Sequence, residues 1–277
     1  MKPESVLLEF HPIDPSERFT YASITLNRPD KANALNGDML KRLRESFASV
    51  AEADHCRFLI IRNNGKHFSA GADLEWMKSS AELSYEENLQ DAERLSQVFD
   101  ALFQLEVPTI AVVRGLAYGG ALGLIACCDF AIASEASKFS LSEVKLGLLP
   151  AVILPFLSFK MQASTLRRVA LTAEVFSAED ACKAGLVTLV SPEDKLSDYM
   201  QTLTTQLLQG GPHAHRRLKN LLGLLTKERQ SWSTLQKSCY QTIAKARTGE
   251  EGQHGLSSFL SGKKPAWVQT MTNLDRI

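Results

Sequence analysis

The sequence has no excess charge of either sign: its 31 Lys and Arg are matched by 31 Asp and Glu. That balance favours neither nucleic acid nor a membrane surface as the main partner. No apolar run approaches the roughly 18 residues of a membrane-spanning helix. The N-terminus carries Glu4, Glu9 and Asp14 in place of the basic-then-apolar pattern of a secretory signal. Cysteine is sparse and odd in number, five in all (Cys56, Cys127, Cys128, Cys182, Cys239), with no C-x-x-C pair. Cys127 and Cys128 lie in an apolar run and read as buried thiols of a reducing compartment. The six histidines show no ligand spacing such as H-E-x-x-H, so no metal is expected. The expected location is the cytoplasm, or an organelle matrix if a presequence has been removed.

What is present is ordinary for a globular protein: 44% hydrophobic and 22% charged residues in 277. A chain of this size buries roughly three quarters of its unfolded surface and needs no staple. Residues 5–10 and 19–27 read as strands, the second alternating over 21–26 and stopping at Asn27-Arg28-Pro29. Asn36 has the character of an N-cap, followed at helical spacing by Met39, Leu40, Leu43, Phe47 and Val50. Residues 57–62 form a strand-length apolar run, 85–106 a helix stopped by Pro108, 109–113 a buried strand and 121–128 an apolar helix. This half is α/β. Beyond residue 160 the pattern turns helical over 162–172, 177–184, 194–208, 212–226, 231–247 and 250–260, with a strand-like interruption at 186–190.

Two small-residue turns stand between strand and helix: His67-Phe68-Ser69-Ala70-Gly71-Ala72-Asp73 and Gly115-Leu116-Ala117-Tyr118-Gly119-Gly120. Each leaves unpaired N–H groups at a helix start, where free donors and the helix dipole attract negative charge. Their small residues let a ligand approach the main chain closely. Side by side, the two turns would each offer one N–H to a single oxygen, the recipe of an oxyanion hole. Taken alone, either is an ordinary tight turn. The first has neither Gly-Lys-Ser/Thr nor G-x-G-x-x-G, so a phosphate loop and a dinucleotide site find no support.

The order of the pieces says more. Arg28-Pro29 with Asn33-Ala34-Leu35-Asn36 precedes the first turn; Ala117-Tyr118-Gly119-Gly120-Ala121, Cys128-Asp129 and Phe139-x-x-x-Glu143-x-x-x-Gly147-x-x-Pro150 follow it. Over essentially the whole chain this series resembles the crotonase superfamily of enoyl-CoA hydratases and isomerases. The resemblance implies an α/β, crotonase-like spiral core of β-β-α units over residues 1–195. It implies a helical C-terminal trimerisation region over 196–277, and a homotrimer or dimer of trimers. It assigns the oxyanion donors to Ala72 and Gly120, coenzyme A binding to Ala70, Gly71, Asp73 and Leu74, and catalysis to Glu143. Coenzyme A enters as the thioester substrate, and no separate cofactor is implied.

One position departs from the pattern. Hydratases of this family present two glutamates, and the first falls here on Gly123, which cannot carry a proton. Glu143 is then left to activate water and protonate the α-carbon alone, or to shuttle one proton as a Δ3–Δ2 enoyl-CoA isomerase. Residues 71–77, 88–92, 126–129, 142–153 and 263–268 resemble bacterial 3-methylglutaconyl-CoA hydratases of leucine breakdown, which share the glycine. That resemblance implies hydration of 3-methylglutaconyl-CoA to 3-hydroxy-3-methylglutaryl-CoA. An isohexenylglutaconyl-CoA hydratase is the near alternative, and a non-catalytic acyl-CoA or RNA-binding member the distant one. The acyl pocket is expected to include Gly123 and Pro150, with Lys78, Arg94 or Lys145 receiving a distal carboxylate.

Three further features have plainer readings. His67 reads as a loop histidine, Trp267 and Phe259 as packing between helices or subunits, and His213–Lys219 as a solvated cationic helix face.

Overall fold

A computed structural model describes residues 4–14, 18–80, 83–226 and 249–268. Strands β1 (Val6–Pro12) and β2 (Thr20–Leu26) form an antiparallel pair, and α1 (Gly37–Glu52) follows. Then come β3 (Cys56–Asn63), α2 (Leu74–Ser80), α3 (Tyr85–Phe103), β4 (Thr109–Val113), β5 (Leu116–Tyr118) and α4 (Gly120–Cys127). Strands β6 (Phe130–Ser134) and β7 (Lys138–Ser140), helices α5 (Leu154–Lys160) and α6 (Ala163–Thr172), β8 (Phe176–Ser177), α7 (Ala178–Lys183) and β9 (Leu189–Ser191) complete the mixed part. Helices α8 (Leu196–Gln209), α9 (Pro212–Thr226) and α10 (Glu250–Leu260) follow. The helix read at 231–247 and the side chain of Phe259 lie outside the described residues.

Six strands form one sheet in the order β1-β2-β3-β4-β6-β9, parallel from β2 onward, and β5-β7-β8 form a second. In the units β4-β5-α4 and β6-β7-α5 the first strand joins the large sheet and the second the small one. Residues 115–120 are therefore not all turn: Leu116–Tyr118 pairs with Lys138–Ser140 as a strand. Three residues are too few to display a period of two, so β5 and β7 leave little trace in the pattern.

The large sheet is covered on both faces. Ala22, Ile24, Leu26, Leu59, Ile61, Ala111 and Val113 pack with α1, α3 and α4. Tyr21, Phe58, Ile60, Ile110, Val112 and Ile132 pack with Leu196, Met200 and Leu208 of α8. Alternate residues of β3 thus feed opposite cores, which is the geometry a strand demands. Asn36 caps α1 by accepting from Met39 N–H at 3.0 Å. Helix α3 starts on a Ser84–Glu87 capping box and ends at Phe103, short of the stop expected at Pro108.

The basic segment of α9 does not stand free as a solvated face. Arg216 donates to the carbonyls of Ala53 and Asp54 and lies 3.8 Å from Glu106, while Lys219 meets Asp129 at 2.6 Å and the Val107 carbonyl at 2.9 Å. These cations dock the helix onto the core. Arg57, buried beneath Phe19, donates to the carbonyls of Gly210 and Trp267, and burial lowers its pKa to about 10. The Trp267 ring lies edge-on to His254 at 5.4 Å, so it packs against α10. No helix among the described residues is long and apolar enough to cross a membrane.

Candidate active site

The two small-residue turns meet. Ser69 bridges Ala117 in parallel, its N–H donating to Leu116 O and its carbonyl accepting from Tyr118 N–H, both at 3.0 Å. Gly71 and Gly119 then face each other with positive φ of 96° and 52°. A Cβ on Gly71 would sit 3.1 Å from the Tyr118 carbonyl oxygen, and one on Gly119 3.1 Å from Glu143 Oε1. Both the backbone conformation and the approach require glycine.

The free donors follow from the pairing. Leu35 N–H donates to Gly71 O at 2.7 Å, and Asp73 N–H donates to Leu35 O at 2.9 Å. A parallel bridge of this kind engages the residues flanking Ala72 and turns Ala72's own N–H away. Gly120 is the first residue of α4, whose leading N–H groups have no acceptor inside the helix. Among the described residues neither N–H has a protein partner. At the other end of α4, the Lys160 ammonium donates to the Cys128 carbonyl and, at 3.4 Å each, to those of Ile125 and Asp129. It closes the helix at the end where positive charge is favoured.

Glu143 opens a 3-10 helix, Glu143–Leu146, directly after β7 and is half-buried beside Gly119. Its Oε2 is buried without a hydrogen-bond partner among the described residues. Burial pushes its pKa up, and its own backbone N–H offsets part of the effect. The structure thus places the two turns, with their free N–H groups, and a half-buried carboxylate in one location.

The remaining positions sort by exposure. Ala70, Ala72 and Leu74 are exposed, Leu74 to 74%. Asp73 is buried: it pairs with Arg28 at 2.9 Å and accepts from Glu75 N–H at 2.9 Å, so its carboxylate fastens the loop and caps α2. Lys78, Arg94 and Lys145 are exposed and have no ion-pair partner among the described residues; Pro150 is buried at the head of the turn into α5. Gly123 lies inside α4, where a Cβ would meet Ile153 Cγ2 at 2.4 Å and Phe99 Cε1 at 2.7 Å. Sequence reasoning gave Phe99 no role, because nothing local to a residue on α3 announces that it fills the space above a glycine on α4.

Among the described residues no group of three His, Cys, Asp or Glu is arranged to hold a metal ion. Two surface clefts, one between α1 and the end of α3 and one between the core and α10, include none of the donor-turn residues.

Known proteins share the family signature and the fold. Residues 18–270 match the family model described as enoyl-CoA hydratase/isomerase. A crystal structure of an enoyl-CoA hydratase from Shewanella pealeana superposes with a TM-score of 0.88 at 36% identity, covering 95% of this chain and 96% of that one. The structure of Pseudomonas aeruginosa AtuE gives 0.89 at 32% identity over 96% and 100% of the two chains. The mitochondrial enoyl-CoA hydratase domain-containing protein 3 of Rattus norvegicus is 30% identical over 255 residues, 88% of this chain and 80% of its own.

Proposed function

The chain belongs to the enoyl-CoA hydratase/isomerase family, and from that membership we propose that it hydrates 3-methylglutaconyl-CoA to 3-hydroxy-3-methylglutaryl-CoA, a step of leucine breakdown. The observation that carries the reading is a single half-buried carboxylate, Glu143, set against Gly119 beside two free N–H groups, with Gly123 where a second acid would stand.

The thioester oxygen sits between Ala72 N–H and Gly120 N–H. As water attacks C3, negative charge develops on that oxygen, where one such donor contributes roughly 3–4 kcal/mol. Glu143 takes a proton from the attacking water; the oxygen forms its bond to C3, and the C2–C3 π electrons move towards the thioester. The same carboxylic acid then delivers its proton to C2, so hydroxyl and hydrogen add on one face. A carboxyl whose pKa is raised by burial suits both halves of this task. The exposed Ala70, Ala72 and Leu74 line the approach for coenzyme A. Lys78, Arg94 and Lys145 are the cations offered to the distal carboxylate.

One lone carboxylate also serves a Δ3–Δ2 enoyl-CoA isomerase, which moves one proton between two carbons and needs no second acid. We further propose a homotrimer or dimer of trimers, with residues 196–277 as the oligomerisation region. The exposed Leu218 and Leu222 on α9 support burial of apolar surface against another copy. The deciding assay offers 3-methylglutaconyl-CoA, crotonyl-CoA and a 3-enoyl-CoA side by side. Fastest hydration of the first is expected; no turnover of it together with clear isomerisation of the third rejects the hydratase in favour of the isomerase.

A further inference from the structure

We propose that His67 is a positioning residue whose imidazole replaces a missing backbone acceptor and so locks the two donor turns in register. The proposal rests on the reading of Ala72 and Gly120 as the donor pair.

The first turn runs beside β5 as a short parallel strand, with Ser69 N–H on Leu116 O and Tyr118 N–H on Ser69 O. In a regular parallel ladder the preceding rung would send Leu116 N–H to the carbonyl of residue 67, and the N–H of residue 67 to Arg114 O. Neither bond forms. Arg114 O accepts instead from Phe68 N–H at 2.8 Å, one residue out of step. The His67 carbonyl is turned aside to accept from Asn33 Nδ2 at 2.8 Å.

Leu116 N–H is left without its backbone acceptor, and His67 Nδ1 takes it at 3.2 Å. An amide nitrogen can only donate, so Nδ1 must be bare and the ring proton must sit on Nε2. Partial burial and the neighbouring Lys66 hold the imidazole pKa below its ordinary value, which favours that neutral ring. Gly115 leaves the room: a Cβ there would lie 2.8 Å from His67 Nδ1 and 2.0 Å from the Lys66 carbonyl oxygen. The bond joins the residue just ahead of Phe68-Ser69-Ala70-Gly71-Ala72 to the strand that delivers Gly119 and Gly120. A slip of one turn against the other separates the two N–H groups that must meet on one oxygen, and small misplacements of this kind are costly in rate.

Asparagine carries its side-chain oxygen on Cγ, the same atom that bears Nδ1 in histidine, whereas glutamine places it one methylene further out. Steady-state kinetics of His67→Asn, His67→Gln and His67→Ala on 3-methylglutaconyl-CoA and crotonyl-CoA, with a 15N spectrum of the wild-type ring, test the proposal. A bare Nδ1 is expected in the wild type. His67→Ala is expected to lose on the order of tenfold in kcat with KM within about twofold, and His67→Asn to stay within about threefold of wild type. A protonated Nδ1 at neutral pH, a wild-type kcat in His67→Ala, or an Asn variant as impaired as the Ala variant overturns it. Should His67→Ala not fold, Asn against Gln decides, with the deficit expected in Gln and equal rates refuting the proposal. A wild-type protein that turns over neither thioester rejects the hydratase reading, while the ring spectrum still judges the His67 bond.

Discussion

Packing around Gly123 leaves no room for a side chain, and Gly123→Ala measures how strictly. A methyl group at this position would lie 2.4 Å from Ile153 Cγ2 and 2.7 Å from Phe99 Cε1, against a comfortable carbon–carbon separation of roughly 3.5–4.0 Å. Both neighbours are almost fully buried, so each must give by about 1 Å inside a packed core. Overpacking of this kind costs about 1–3 kcal/mol, and contact on two sides argues for the upper end. Helix propensity works the other way, favouring alanine over glycine by about 1 kcal/mol. The net expectation is a loss of about 2 kcal/mol, equivalent to about 4–8 °C in Tm for a chain of this length. Urea and thermal unfolding of the purified protein read it. Ile153→Ala removes the closest atom, so the double variant should recover about 1 kcal/mol relative to the sum of the single ones. A Gly123→Ala protein as stable as wild type would refute the reasoning, since position 123 would then have room for a side chain.

Four other outcomes follow from the charges of Glu143, Arg28 and Asp73. Glu143→Gln should keep coenzyme A binding and lose about 10²–10⁴-fold in turnover, and a wild-type rate would remove Glu143 from the mechanism. Because burial raises the folded-state pKa of Glu143, the folded protein holds a proton that the unfolded chain has released between the ordinary glutamate range and that higher value. Stability therefore falls as pH rises through that window, and Glu143→Gln should melt higher than wild type at pH 7 with the gap closing in acid. Arg28→Ala should cost about 3 kcal/mol by stranding the buried Asp73 carboxylate. Burial pushes the Asp73 pKa up, but the bonds from Arg28 and the Glu75 N–H outweigh it and hold the group below the ordinary aspartate range. That stability is present above the ordinary range and is lost as pH falls through the lower folded value, so Asp73→Asn should flatten the acid limb of an unfolding series. An unchanged acid limb would show that the pair contributes nothing.

The elements that were legible in the sequence are those whose residues carry their own signals. Asn36 ahead of a 3.6-residue apolar repeat marked α1, and the helical period from residue 85 marked α3. The ordered series from Arg28 to Pro150 fixed the family, because so many small-residue and charged positions at set spacings rarely coincide. Less legible were the elements that exist only through their partners. Strands β5 and β7 are three residues each and hold together through pairing with one another. The cations of α9 look solvent-bound in one dimension, and turn inward because Asp129 and the carbonyls of Ala53, Asp54 and Val107 await them.

The sequence by itself determined the donor turns as small-residue strand-to-helix junctions, the lone Glu143, and the glycine at position 123. Small-residue chemistry suffices for the turns, where a close approach needs a missing Cβ, while the roles of Glu143 and Gly123 came from the resemblance of the ordered motifs to the family pattern. Only the tertiary structure decided that the turns lie side by side and that the bridge to Leu35 leaves the Ala72 N–H free. It also decided that Phe99 and Ile153 occupy the space above Gly123 and that His67 takes a backbone amide from β5. Those facts depend on residues separated by tens of positions, and no spacing along the chain encodes a distance across it.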